Sequence, residues 1–258
     1  MDDTISTGPA ARSATPGAGC DPAILDEIQQ RVLWLATRIV DAANHERDTG
    51  DGVKGGGHQA SSASLVTVMT ALYFAYLDAA DRVSVKPHAS PVYHAIQYLL
   101  GNLDRSYLTT LRAYGGLQSY PSRTKDPDAV DFSTGSVGLG AAAPLFAAAA
   151  RRYVDAHFGP RPRSRFIALI GDAELDEGSN HEALAYAGST GLDRLHAVVI
   201  DNQSATHGWP GGIASRFTAN RWSAVTVDGR NHDALFEAFT QPHPGRPHAV
   251  IAVVEPKN

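Results

Sequence analysis

"FIALIGDAELDEG", residues 166–178, runs from an apolar segment directly into a cluster of carboxylates. The apolar part is short, which is typical of a buried strand bounded by a turn. Asp172, Glu174, Asp176 and Glu177 follow it within six positions. Buried charges need a partner, so this much negative charge at the end of a strand indicates a place where a ligand or cation is held.

The chain on either side of this segment has the pattern of alternating strands and helices. "LHAVVIDN" (195–202) is a second apolar run, separated from the first by the helical pattern "SNHEALAYAGSTGL" (179–192). "SAVTVDG" (223–229) and "HAVIAVVE" (248–255) flank a further helical segment, "NHDALFEAFTQ" (231–241). Strands that are apolar on both faces and alternate with helices predict an α/β fold, a parallel sheet flanked by helices on both faces. Ligands bind such sheets at the carboxyl ends of the strands.

The N-terminal half reads as helices joined by polar loops. "AILDEIQQRVLWLATRIVDAAN" (23–44) has apolar residues at helical spacing behind Asp21, a candidate N-cap. A glycine-dense loop, 45–64, leads into the apolar helix "LVTVMTALYFAYL" (65–77). The remaining helical segments are "VYHAIQYLLG" (92–101) and the alanine-rich run that follows the turn "STGSVGLG" (133–140).

Composition excludes several classes of protein. The 258 residues carry a net charge of -5, which argues against nucleic acid and anionic membranes as partners. No apolar run reaches the roughly 20 residues of a membrane span. Residues 1–22 are small, polar and without a secretory signal, so we expect a disordered tail followed by one domain, 23–258. Cys20 is the only cysteine, which fits a reducing compartment, and we expect a cytoplasmic protein.

Asp172 and Asn202 follow two successive strands of the predicted sheet, 30 positions apart. In a parallel βαβ unit these strand ends lie close together, and their carboxylate and amide oxygens suit Mg²⁺. An alternative is that Asp172 only caps the next helix. A calcium loop of the EF-hand type is rejected, because Glu177 stands where that loop needs glycine and Ala183 at its twelfth position.

Several motifs together resemble a known family. "GDAELDEGSNHEALAYAGSTGLDRLHAVVIDNQSATHG" (171–208) is similar to the thiamine diphosphate motif of the transketolase superfamily. "GGHQASSAS", "KPHASPVYHAIQYLLG", "LQSYPS" and "STGSVGLG" precede it in the order found in the diphosphate-binding module of transketolases and of the homodimeric-type pyruvate dehydrogenase decarboxylating component. The resemblance covers residue 24 to the C-terminus and implies the thiamin diphosphate-binding fold.

The resemblance also implies roles for individual residues. Asp172 and Asn202 would bind the metal through side chains, and Ser204 through its backbone carbonyl. The active-site histidines would be His58 and His88, while Glu177 and Glu182 would join an acidic network between two cofactors. The implied cofactor contacts are His58, Ser61, His88, Tyr120, Val137, Gly138, Gly171, Asp172, Ala173, Asn202 and Arg230.

The chain departs from the family pattern in three places. Ala173 replaces the third glycine of the motif, which we expect the metal site to tolerate. Ser122 stands where transketolases have a histidine that holds a sugar, which weakens a phosphosugar substrate. Arg230 replaces the histidine of "DGHD"; a guanidinium binds phosphate well, although a plain surface charge is the alternative. Glu174 and Asp176 are expected to be solvated or capping.

The resemblance implies a reaction and a partner. Thiamine diphosphate and Mg²⁺ would serve a transferase that moves a two-carbon ketol or acyl unit from a ketose or 2-oxo acid to an acceptor. The glutamate that activates the cofactor belongs to a pyrimidine-binding module, expected here on a separate C-terminal subunit, in a heterotetramer. The alternative enzyme is a pyruvate dehydrogenase-like decarboxylating subunit, and the alternative from another class is a catalytically silent regulatory homologue.

Overall fold

Five parallel strands form a sheet in the computed structural model, which describes residues 21–47, 50, 52–205 and 208–256. The strands are β1 (Arg82–Ser84), β2 (Phe166–Gly171), β3 (Leu195–Asp201), β4 (Ser223–Asp228) and β5 (His248–Val253). Their order across the sheet is β1-β2-β3-β5-β4. The predicted α/β fold with a parallel sheet is therefore confirmed.

Eight α-helices are present among the described residues. They are α1 (Pro22–His45), α2 (Gln59–Ala63), α3 (Val66–Ala71), α4 (Ser90–Leu99), α5 (Leu139–Phe158), α6 (Gly178–Thr190), α7 (Gly212–Ala219) and α8 (His232–Thr240). A π-helical turn, Leu72–Tyr76, directly follows α3. The predicted apolar helix, 65–77, is therefore helical over almost its whole length. No helix of the described residues is long and apolar enough to cross a membrane.

The sheet separates two hydrophobic cores. Ile167 and Leu169 of β2 face a core built mainly from α1, α3, α4 and α8. Ala168 and Ile170, the alternate residues, face the core of α5, α6 and α7. This alternation is what strands buried on both faces require, and it explains their continuous apolar sequence.

Two helices and one strand were missed by the sequence patterns, and one expectation lies outside the structure. α2 (Gln59–Ala63) lies within the segment 45–64 that was expected to be a loop. β1 is only three residues long and pairs with β2 in parallel, Val83 opposite Ile167. α7 begins at Gly212, directly after Gly211 in the left-handed conformation, and the sequence patterns did not identify it. The expected disordered tail falls, up to residue 20, outside the described residues.

Candidate functional site

The carboxylate of Asp172 links the ends of β2 and β3. Asp172 is buried, 2% exposed, and directly follows the last residue of β2. Its Oδ1 accepts hydrogen bonds from the Ala173 N–H at 2.9 Å and from the Ser204 hydroxyl at 2.6 Å. Its Oδ2 accepts from the N–H groups of Ser204, at 2.6 Å, and Ala205, at 3.1 Å. The segment after β3 is thus folded around a fixed, buried negative charge.

Asn202 supplies a second oxygen at the same sheet edge. It lies two residues beyond Ile200, the register partner of Gly171, and is 4% exposed. Its Oδ1 is buried and has no hydrogen-bond partner. A buried oxygen without a donor costs free energy unless a ligand satisfies it. An amide oxygen and a carboxylate at adjacent strand ends are the donor set that a Mg²⁺ ion takes, so these residues fit the implied cation.

Glu174 corrects an expectation, because it is buried rather than solvated. Its Oε1 accepts a hydrogen bond from the Gly171 N–H at 3.0 Å and lies 3.8 Å from Nζ of Lys86. Burial raises the pKa of Glu174, and the nearby Lys86 opposes that rise. A Cβ on Gly171 would lie 2.6 Å from Cε of Lys86, so this lysine packs directly over the glycine. Asp176, in contrast, is exposed, as expected.

Sequence reasoning missed Lys86. It lies just beyond β1 and is 8% exposed, although lysine is rarely buried without a partner. The signal was present in "VSVKPHASP" (83–91), where one charge stands in an otherwise apolar and small segment. Lys86 adds a positive charge at the edge of the sheet where a diphosphate would bind.

The two predicted active-site histidines come together from separate segments. His58 precedes α2, and His88 lies in the 3-10 turn before α4. Their ring centroids are 4.1 Å apart, and the ring of Tyr120 lies 5.9 Å from that of His88. Ser61, on α2, is buried. The structure thus clusters three of the predicted contacts, while their roles stay predictions.

The turn before α5 packs against the segment after β2. Gly138 caps α5 with φ +91°, and its carbonyl accepts a hydrogen bond from the Ser179 hydroxyl at 3.2 Å. A Cβ at Gly138 would lie 2.6 Å from Cβ of Glu177. Val137 is 43% exposed beside it. The N–H groups at the start of α5 therefore lie near the carboxyl end of β2, where a helix N-terminus favours an anion.

Glu177, Glu182 and Arg230 lie at the surface, as do His58, Val137 and Ala173. Glu177 and Glu182 are exposed at the start of α6, as an interface role would allow. Arg230 follows β4, and its side chain is 61% exposed and pairs with Asp228 and Glu255, each at 2.9 Å. β4 is separated from β2 by β3 and β5, roughly 14 Å across the sheet. A phosphate contact by Arg230 therefore requires it to leave these carboxylates, and this role stays a prediction.

Comparison with known proteins agrees with the geometry. The curated proteins that the chain resembles include "Ferredoxin fas2" of Rhodococcoides fascians, 35% identical over 76% of this chain and 66% of that protein. Human transketolase is 32% identical over 77% of this chain and 33% of that enzyme. The pyruvate dehydrogenase E1 component of Cupriavidus necator is 29% identical over 92% of the chain and 28% of that protein. The chain thus spans about a third of the length of these two enzymes.

The fold is shared with solved transketolases. The transketolase of Leishmania mexicana superposes on 92% of this chain and 37% of that chain, with a TM-score of 0.78 at 20% identity. The family model described as "Transketolase, thiamine diphosphate binding domain" matches residues 55–252, which include the ends of β2 and β3 and both histidine segments. The chain belongs to the transketolase family of thiamine diphosphate binding domains.

Proposed function

We propose that this chain holds thiamine diphosphate through a Mg²⁺ ion at Asp172 and Asn202, as the N-terminal subunit of a transketolase-like transferase. The observation that carries the proposal is the buried Oδ1 of Asn202, which has no hydrogen-bond partner and follows the strand next to the one that ends at the buried Asp172. A structural cap would need only the Asp172 carboxylate. An amide oxygen at the neighbouring strand end that accepts no hydrogen bond is explained by a cation.

The chain's own residues would bind and orient the cofactor. Asp172 and Asn202 hold the cation, Ser204 contributes its carbonyl oxygen, and the N-terminus of α5 faces the diphosphate charge. His58 and His88 would border the site and donate hydrogen bonds to anionic groups of cofactor or substrate. When bound, thiamine diphosphate supplies the carbon centre that adds to the carbonyl of a ketose or 2-oxo acid. The chain's share is therefore electrostatic placement of that group.

A pyrimidine-binding partner is part of the proposal. Leu139, Phe146 and Tyr153 are 52%, 67% and 58% exposed and are spaced seven residues apart on α5. That spacing places them along one side of the helix, which begins at the site. Exposed apolar stripes of this kind mark protein interfaces. A separate subunit on this surface would supply the activating glutamate, near Glu177 and Glu182, and pairing of two such units gives the heterotetramer.

A second candidate reaction is decarboxylation of a 2-oxo acid as in pyruvate dehydrogenase. Ser122 favours it, since this residue stands where a sugar-binding histidine would be. The Ser122 N–H donates a hydrogen bond to Asp126 at 2.7 Å.

An assay of substrate turnover distinguishes the two candidate reactions. The full-length chain, with the chain that copurifies with it, is assayed with ketose phosphates and with pyruvate, in thiamine diphosphate and Mg²⁺. Turnover of neither would favour the silent homologue.

Calorimetry of cofactor binding tests the site itself. Asp172→Asn removes a charge that faces the cation, so thiamine diphosphate affinity in Mg²⁺ should fall by about 1.5–3 kcal/mol, the scale for interactions of charged groups. Asp193→Asn is the matched control, because Asp193 is exposed just before β3, at the other end of that strand. Equal affinity of the Asp172→Asn variant and the unaltered protein would remove the metal assignment.

A further inference from the structure

A buried cluster of one histidine and two aspartates lies outside the cofactor site. His94 is on α4 and is 0% exposed, and the side chains of Asp126 and Asp128 are also fully buried. Each residue offers one potential ligand atom, and the three atoms lie within 4.8 Å of one another. None of the three is among the residues expected to contact the cofactor or its metal, so the cluster needs its own explanation.

The hydrogen bonds leave one histidine nitrogen free and pointing into the cluster. Nδ1 of His94 lies 2.8 Å from Oδ2 of Asp128. Nε2 of the same ring lies 3.7 Å from Oδ1 of Asp126, too far for a hydrogen bond, and has no partner. Oδ1 of Asp128 is likewise buried without a partner. An Nδ1–H donated to a carboxylate fixes the tautomer in which Nε2 carries a lone pair, the arrangement by which aspartate orients histidine ligands of zinc.

The charges of the cluster also lack a balance. Among the described residues, no lysine or arginine pairs with Asp126 or Asp128. With both carboxylates ionised, even a protonated His94 would leave one buried negative charge, whereas a divalent cation beside a neutral imidazole balances both. Buried charges that are not balanced in this way are costly.

We infer that His94 and Asp126 bind a divalent transition-metal ion, with Asp128 orienting the imidazole. The mixture of imidazole and carboxylate ligands suits zinc rather than magnesium or calcium, which prefer oxygen alone. Ligand distances of about 2.0–2.2 Å to zinc fit a nitrogen and an oxygen that are 3.7 Å apart, with water completing the coordination.

Such an ion would join α4 to the loop that carries Tyr120. Asp126 already accepts hydrogen bonds from the N–H groups of Gln118 and Ser122, which flank Tyr120, each at 2.7 Å. Ser90, at the start of α4, donates its hydroxyl to the Gln118 carbonyl at 2.7 Å. His88 lies two residues before Ser90, so the cation would fix the spacing between the His88 and Tyr120 segments.

Zinc titration of the full-length protein tests the site. Protein stripped with EDTA and returned to buffer with excess Mg²⁺ should take up one equivalent of zinc, and X-ray absorption should show a nitrogen and oxygen shell that includes one imidazole. His94→Gln and Asp126→Asn should each abolish this uptake. His157→Gln, an exposed histidine at the end of α5, is the matched control. Asp172→Asn should leave zinc uptake unchanged, which separates this site from the proposed Mg²⁺ site.

Three outcomes would overturn the inference. They are no zinc uptake by the stripped unaltered protein, an absorption spectrum without imidazole, and full uptake by His94→Gln. The first two need no variant, so loss of folding in a substituted protein cannot hide the answer. Calorimetry with thiamine diphosphate, done separately, reports on the cofactor proposal alone.

Discussion

Glu174 is the carboxyl of the opening segment whose ionisation the fold opposes. Its pKa lies above the ordinary value of 4.5 because burial disfavours the charged form. A carboxyl with a raised pKa binds its proton more tightly in the folded state, so its contribution to stability is present below pH 4.5 and is lost as pH rises through the folded value. Glu174 therefore makes the protein less stable towards neutral pH.

Glu174→Gln should remove this part of the pH dependence. Glutamine keeps an oxygen for the Gly171 N–H but does not titrate, so the free energy of unfolding should fall less steeply above pH 4.5 than in the unaltered protein. Urea unfolding over a pH series measures the slope. Asp176→Asn, an exposed neighbour, controls for the loss of one negative charge. Parallel slopes for the Glu174→Gln variant and the unaltered protein would show that the buried carboxyl is not the cause.

Residues at strand ends were predictable from the sequence, but their burial was not. Asp172 and Asn202 were placed correctly at neighbouring strand ends, since an apolar strand that stops at a polar residue is visible in the chain itself. Lys86 and Glu174 meet only because β1 pairs with β2 and brings distant segments over Gly171. A contact between residues 88 positions apart leaves no local pattern.

At the scale of elements, the position of the start of α5 depends on Gly138, its N-cap residue. Gly138 has φ +91°, a backbone conformation that residues with a side chain rarely adopt. A Cβ added at Gly138 would lie only 2.6 Å from the Cβ of Glu177, so only glycine leaves room for Glu177 here. The turn before α5 is thus fitted to the segment that leads from β2 into α6. The helix N-terminus cannot move without disturbing the segment after Asp172.

Gly138→Ala should both destabilise the protein and weaken cofactor binding. The backbone strain alone costs about 1–3 kcal/mol, and the contact with Glu177 adds to it. Gly101→Ala is the control, since Gly101 has φ +78° with no atom near its missing Cβ. Both variants should lose stability in urea unfolding, but only Gly138→Ala should also lose thiamine diphosphate affinity in calorimetry. Equal affinities in the two variants would argue against placing the start of α5 at the cofactor.

Most long elements follow from local sequence, whereas short ones depend on their neighbours. β2 and β3 were identified by apolar runs of six and seven residues, long enough for a pattern. β1 has three residues and is a strand only because β2 offers it hydrogen bonds. α7 has eight residues, and its helix forms where Phe217 enters the core beside Trp222, at a ring distance of 5.2 Å.

On the scale of the whole molecule, the proposed cofactor site and a large cavity lie at opposite ends of the parallel strands. The cavity, about 540 Å³, is lined by Arg163, Arg165, His196 and His243, near the amino ends of β2 and β3. Asp172, Asn202 and the His58–His88 pair lie at or beyond the carboxyl ends. Parallel α/β sheets bind their ligands at the carboxyl ends of the strands, which is where the proposed cofactor site lies.

The apolar stripe on α5 should decide assembly. Phe146 is 67% exposed on the side of the sheet covered by α5 and α6, and burying a phenylalanine in an interface contributes about 1.5–3 kcal/mol. Phe146→Ser should therefore weaken association with the proposed partner subunit roughly 10- to 150-fold, while the circular dichroism spectrum stays unchanged. Trp34→Ser is the matched control, because Trp34 is 64% exposed on α1, which covers the other face. Analytical ultracentrifugation across a concentration series measures both variants. If Trp34→Ser weakens the complex and Phe146→Ser does not, the proposed partner covers α1 instead of α5, which contradicts an interface beside the proposed cofactor site.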